Sequence, residues 1–208
     1  MTMAKPKFGI GRRDVLAATA LWVAAPRWAL AAPTKPKVRI KTNHGVIVVE
    51  LEDQRAPITA KNFLRYVDAH AYDGGRFFRA SRDADDPTHG TIVGATNLKV
   101  QPFPPIAHEP TTKTGLSHVA GAISIGRFDP GTATSDFFIC ASDELYLDAH
   151  PGAAGDNQGY AVFGHVVEGM PVVAKILSLP TNGATHYKSQ RGEWLNPPVP
   201  ILGMRREG

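Results

Sequence analysis

From residue 38 onward the 208-residue chain is cut into short segments in which apolar and polar residues alternate, and only two stretches carry helical spacing. Val38 and Ile40 alternate with Arg39 and Lys41, Asn43-His44-Gly45 breaks the run, and Ile47, Val49 and Leu51 then alternate with Val48, Glu50 and Glu52. A period of two turns one face of a strand inward, and turn residues between two such runs make a hairpin. Further short segments follow at Arg76 to Ser81, Thr91 to Ala95, Ala122 to Gly126, Phe137 to Ala141 and Ala161 to Val167, with a last strand expected within Val199 to Met204. Gly, Pro, Asp or Asn lies near the ends of each.

Ala60, Phe63, Leu64 and Val67 fall at i, i+3, i+4 and i+7 behind Pro57, which predicts an amphipathic helix over about 57 to 70. Gly169-Met170-Pro171 opens a second, with Val172, Val173, Ile176 and Leu177 on one face and Pro180 closing it. Eight or so short strands with two helices predict a mainly β fold: a closed antiparallel eight-stranded barrel capped by two α-helices. Closure also removes exposed sheet edges.

Residues 1–31 differ in kind. Lys5, Lys7, Arg12 and Arg13 form a basic segment, Val15 to Ala25 an apolar one, and Ala29-Leu30-Ala31 a small-residue cleavage site, the pattern of an export signal. Arg12-Arg13 before the apolar run resembles a twin-arginine signal, the general secretory route being the alternative. Pro26-Arg27 interrupts the run short of the roughly 20 residues a membrane span needs. The expected organisation is a signal over 1–31, a short linker over 32–37 and one domain over 38–208. The expected location is periplasmic or otherwise extracytoplasmic after cleavage, with no membrane attachment once processed.

The chain carries 23 Lys and Arg against 19 Asp and Glu; residues 1–31 hold five of the bases and one of the acids, leaving 18 of each. A domain with zero formal charge lacks the basic footprint of a nucleic-acid binder, so nucleic acid is not an expected partner. About 177 residues suffice for one core, and a monomer is expected. Cys140 is the single cysteine, which precludes an intrachain disulfide.

Several runs recur in a telling order: Ala56-Pro57-Ile58-Thr59-Ala60-Lys61-Asn62-Phe63, Tyr72-Asp73-Gly74, Phe77-Phe78-Arg79, Gly121-Ala122-Ile123-Ser124-Ile125, Ser135-Asp136-Phe137-Phe138-Ile139, Leu147-Asp148, Ala161-Val162-Phe163-Gly164 and Gly169-Met170. Across roughly Val38 to Leu177 this order resembles the cyclophilins, which catalyse cis/trans isomerisation of X-Pro bonds. That reaction crosses a barrier of about 18–20 kcal/mol set by amide conjugation. No bond breaks, so neither nucleophile nor metal is needed; the site has only to prefer the twisted amide, with an apolar cradle and a fixed donor.

The resemblance implies Arg79 as that donor, its planar fork able to address the prolyl carbonyl and the nitrogen side of the twisted bond. It implies Phe138 as the floor of a proline pocket, Leu147 as a wall and Tyr160 as a ring edge, with Thr91, Val93, Gly126, Arg127, Asp136 and Tyr146 along the peptide site. Tyr146 stands where the family commonly has tryptophan or another large apolar residue, and Tyr160 where many members have histidine. Val93 replaces a glutamine that helps hold the arginine, Gly90 and Thr91 replace larger apolar residues, and Asp136 replaces a second glutamine. Asp136 is free to pair with Arg79 or Arg127, either preorganising Arg79 or occupying its donors. About six extra residues within Ser81 to His89 lengthen the connection after Arg79, which a surface loop tolerates.

The expected partners are X-Pro segments of unfolded or flexible polypeptides, with no cofactor and no metal. The histidines show no H-x-x-H or H-E-x-x-H spacing, and Cys140 lies in an apolar strand. Neither Ser135 nor Ser142 sits in a nucleophile elbow, which argues against a hydrolase. Two readings remain: an isomerase that speeds folding of exported proteins, and a weakened module of the same fold that binds proline peptides.

Overall fold

The computed structural model describes residues 1–2 and 34–207, so the expected export signal lies, beyond its first two residues, outside the described part. Among the described residues the strands are β1 (Lys37–Thr42), β2 (Gly45–Leu51), β3 (Arg76–Arg82), β4 (Gly90–Ala95), β5 (Ala122–Ile125), β6 (Phe137–Cys140), β7 (Ala161–Glu168) and β8 (Trp194–Glu207). They close into a barrel in the order β1-β2-β7-β5-β6-β4-β3-β8, every pair antiparallel. The expected fold class holds.

Helix α1 (Pro57–Asp68) packs against β7 and β8, and α3 (Met170–Leu177) against β2, β3 and β4. Both insert their apolar stripes, Phe63, Leu64 and Val67 from one and Val173, Ile176 and Leu177 from the other, into a single core. At its centre Phe137 lies 5.6 Å from Phe63, 5.5 Å from Tyr72 and 5.7 Å from Phe77, ring centre to ring centre and edge to face. That geometry suits the quadrupoles of the rings, and each buried aromatic removes a large apolar area from water.

Helix α1 stops at Asp68, short of the expected residue 70, because His70 takes a left-handed φ of 54° and reverses the chain. No side chain at its N-cap bonds its free amides. Glu109, buried in the Pro-rich loop, does so from a distance: its carboxylate accepts from Ile58 N at 3.3 Å, Thr59 N at 2.8 Å and Thr59 Oγ1 at 2.8 Å. A carboxylate at a helix N-terminus satisfies orphan donors and complements the dipole. Tyr66 Oη also accepts from Phe103 N at 2.7 Å, so the Pro-rich loop is tied to α1 at two points.

Two further elements differ from the sequence reading. A one-turn helix α2 (Thr111–Thr114) follows Pro110 and ends at Gly115, whose φ of 66° makes a left-handed cap. Four residues are too few to show helical periodicity. Strand β8 is much longer than Val199 to Met204, because it pairs with β3 through Trp194, Val199 and Pro200 and then with β1 from Ile201 to Glu207. Pro197 and Pro198 fall where the ladder to β3 is interrupted, which hides the start of the strand from pattern reading.

Candidate active site

Arg79 and Phe138, far apart in sequence, stand in one row on the outside of the barrel. Arg79 pairs with Val93, Val93 with Phe138, and Phe138 with Ser124. Directly opposed residues share a face, and two strand spacings separate Arg79 from Phe138 by about 10 Å. A bulge between Phe77 and Arg79 turns two consecutive residues, Phe78 and Arg79, away from the core that holds Phe77 and Ala80. Bulges of this kind re-aim side chains beside functional sites.

Val93, Ala122, Phe138, Cys140 and Val162 form a second apolar cluster outside the main core, with Phe78, Leu116, Leu147 and Tyr160 packed on it. Tyr160 meets Phe138 edge to face at 5.3 Å and 88°. Leu147 lies in a 3-10 turn (Leu145–Leu147), and its carbonyl accepts from Tyr160 N at 3.0 Å. Gly159 lets the two backbones approach, since a Cβ there would sit 2.6 Å from the Leu147 carbonyl.

The sequence-predicted residues divide. Arg79, Val93, Phe138, Leu147 and Tyr160 come together, and Thr91 lies buried two residues from Val93 on the same face of β4. Tyr146 does not join them: it is 68% exposed, because the short turn that seats Leu147 points its neighbour outward. Gly126 follows β5 and donates to Asp136 O at 2.7 Å. Asp136 pairs with neither arginine; its nearest partner is Ser135 Oγ at 3.4 Å, and burial pushes its pKa up.

The Arg127 guanidinium is engaged inside the protein, on both Asp156 oxygens at 2.6 and 3.0 Å and on the Gly159 carbonyl at 2.9 Å, and it lies over the Tyr160 ring at 5.1 Å. It braces the Gly-rich loop and Tyr160 rather than presenting free donors. The same contact holds the Asp156 carboxyl below its ordinary pKa.

One part of the site was not visible in the sequence. His118 stacks on Phe138 at 5.7 Å and 9°, with Nδ1 2.6 Å from Asp148 Oδ1 and Nε2 3.0 Å from Ser124 Oγ. Ser, His and Asp in that order look like a hydrolytic triad. Ser124 and His118 have no exposed surface, however, so the hydroxyl has no route to a substrate carbonyl. These bonds instead hold His118 against the inner side of the Phe138 ring and tie it to Asp148 at the end of the Leu147 turn.

A family model described as Cyclophilin type peptidyl-prolyl cis-trans isomerase/CLD matches residues 37–205. The chain belongs to the cyclophilin family. Among its relatives, the peptidyl-prolyl cis-trans isomerase of Acinetobacter baylyi is 39% identical over 149 residues, covering 70% of this chain and 73% of the relative. Peptidyl-prolyl cis-trans isomerase A of Dickeya dadantii is 35% identical over 180 residues, covering 85% and 90%. A crystal structure of a Cryptosporidium parvum cyclophilin-type isomerase superposes with a TM-score of 0.62 at 20% identity, covering 84% of this chain and 98% of that one, a likeness of fold. The same protein was also crystallised in the presence of the dipeptide Ala-Pro.

The departures of this cyclophilin from its family now have a structural setting. Gly90, at φ 131°, has no room for a side chain: a Cβ would lie 2.0 Å from the Ser81 carbonyl, across the turn that the extra residues lengthen. Val93 places an aliphatic side chain directly between Arg79 and Phe138. Among the described residues the acid that pairs with Arg79 is Glu193, just before β8, with Oε2 3.3 Å from Nε.

The buried His118 also makes a testable pH effect. Burial pushes its pKa below the ordinary imidazole value, with Asp148 opposing in part. The unfolded chain therefore takes up a proton below about pH 6.5 while the folded protein does not. Its contribution is intact above that pH, falls as pH drops below it, and levels off below the folded-state pKa. Between pH 7.5 and 5.5 the wild type is expected to lose more stability in urea melts than His118→Asn does, by up to about 1 kcal/mol. Equal pH slopes for the two proteins contradict this.

Proposed function

We propose that this chain catalyses cis/trans isomerisation of X-Pro peptide bonds in exported polypeptides and works outside the cytoplasm as a cofactor-free folding helper. The observation that carries the reading is the row Arg79–Val93–Phe138, which sets a guanidinium beside an apolar patch completed by Leu147 and Tyr160. Phe138, Leu147 and Tyr160 take the proline ring, and Arg79 donates to the amide as it twists and its nitrogen regains a lone pair. Chemistry of this kind needs positioning and one preorganised donor, both of which the barrel wall supplies.

The deciding experiment follows cis to trans conversion of a short proline peptide with the chain from Ala32 onward, comparing wild type with Arg79→Ala. Peptide binding without acceleration over Arg79→Ala favours the second reading, a proline-peptide binding module. The aliphatic Val93 between donor and floor gives that reading its support.

The export part rests on the basic, apolar and small-residue segments of residues 1–31. In a Gram-negative host the protein is expected in the periplasm, with an N-terminus near Ala32. Replacing Arg12 and Arg13 together by lysine is expected to retain it in the cytoplasm, as fractionation would read; unchanged export of that variant points to the general secretory route.

A further inference from the structure

We infer that Glu193 is the positioning residue for Arg79, holding the inner nitrogen of its guanidinium so that the two terminal nitrogens face the peptide. The inference rests on the isomerase reading for its catalytic consequence and on geometry for its structural part.

Arg79 and Glu193 side chains are each about a quarter exposed, at 26% and 27%, and meet at Nε and Oε2, 3.3 Å apart. The oxygen lies off the N–H direction: Nε is buried and has no aligned hydrogen-bond acceptor among the described residues. A buried guanidinium N–H without an acceptor is costly, and a small rotation of Glu193 would supply one. Apo sites commonly show such loose bonds that tighten when substrate engages. Among the described residues no other side chain supplies that acceptor. Val93, opposite Arg79 on β4, has no polar side-chain atom, and Asp136 faces Ser135 instead.

The backbone of Glu193 is fixed on both sides, which is what a positioning group requires. Its N–H donates to Gln190 O at 3.2 Å, and its carbonyl accepts from Ala80 N at 2.8 Å. Next to it Trp194 pairs with Arg79, packs on Phe78 at 5.0 Å and donates through Nε1 to Gln190 at 3.1 Å. The carboxylate is thus delivered from a segment about 114 residues downstream of the arginine. Engaging Nε leaves the Nη fork in a set plane, and a long side chain that loses its rotamer freedom before the peptide arrives need not lose it in the transition state.

The test uses two readouts. Proline-peptide kinetics on Glu193→Ala are expected to show kcat about tenfold lower with KM within about twofold, since misplacement of a donor costs turnover more than binding. Glu193→Gln, which keeps an acceptor at the same place, is expected to retain most of the activity, and Val93→Gln added to Glu193→Ala to restore part of it from the facing strand. The second readout is the Nε–H resonance of Arg79 in 15N NMR, assigned by its disappearance in Arg79→Lys. It is expected to shift and broaden in Glu193→Ala and to persist in Glu193→Gln. Activity of Glu193→Ala equal to wild type, or an unchanged Nε–H resonance in that variant, overturns the inference. If the wild type fails to turn over the peptide, the isomerase reading falls, and the resonance alone upholds or overturns the positioning role.

Discussion

Arg79→Ala is expected to lower kcat/KM for a short proline peptide by about 10²- to 10³-fold, the scale seen when one preorganised donor is removed from a transition-state site. Each factor of ten corresponds to about 1.4 kcal/mol, so the donor is asked for roughly 3–4 kcal/mol of a barrier of about 18–20 kcal/mol. The rest of the acceleration comes from the apolar patch and from holding the peptide. Arg79→Lys is expected to fall between, because a point charge on a flexible stem does not reproduce the planar fork. Stability should hardly move: the pair with Glu193 is partly exposed, and such pairs contribute about 0–1 kcal/mol. Exchange NMR or stopped-flow isomerisation reads the rate and a thermal melt reads the stability. A variant that keeps full activity excludes Arg79 as the donor.

Phe137→Ala and Phe138→Ala are expected to part company although the residues are adjacent. The strand sends Phe137 into the barrel and Phe138 out of it. Phe137 fills the space over Gly94, where a Cβ would come within 2.5 Å of its ring, and it touches three other core aromatics. Its truncation is expected to cost about 3–5 kcal/mol through lost transfer energy and a cavity, on the order of 10 °C in Tm for a domain of this size. Truncating Phe138 removes the proposed pocket floor from over His118, so its main effect falls on turnover, with a smaller loss of stability because its cluster, though buried, is smaller than the main core. Melts and proline-peptide rates on the two variants separate these roles; equal losses of stability would contradict the assignment of faces.

Much of this was legible in the chain because it is encoded locally. The alternation at Val38 to Leu51 and the i, i+3, i+4, i+7 set from Ala60 to Val67 name element and buried face together. The ordered runs around Arg79, Phe138 and Leu147 carry the family likeness. Short or proline-broken elements escaped, α2 for its four residues and the first half of β8 for Pro197 and Pro198. Pairings between distant polar groups escaped as well. Glu109 serves the amides of α1 from about 50 residues away, Asp148 and Ser124 share His118, Asp156 and not Asp136 takes Arg127, and Glu193 meets Arg79. By itself, then, the sequence determined most of the strands and the two longer helices, their buried faces and the residues able to make a donor beside an apolar patch, since periodicity and turn chemistry act over a few residues. Which polar side chain answers which was decided only when the barrel closed, because closure brings distant segments within hydrogen-bond reach and burial requires each polar group enclosed there to find a partner.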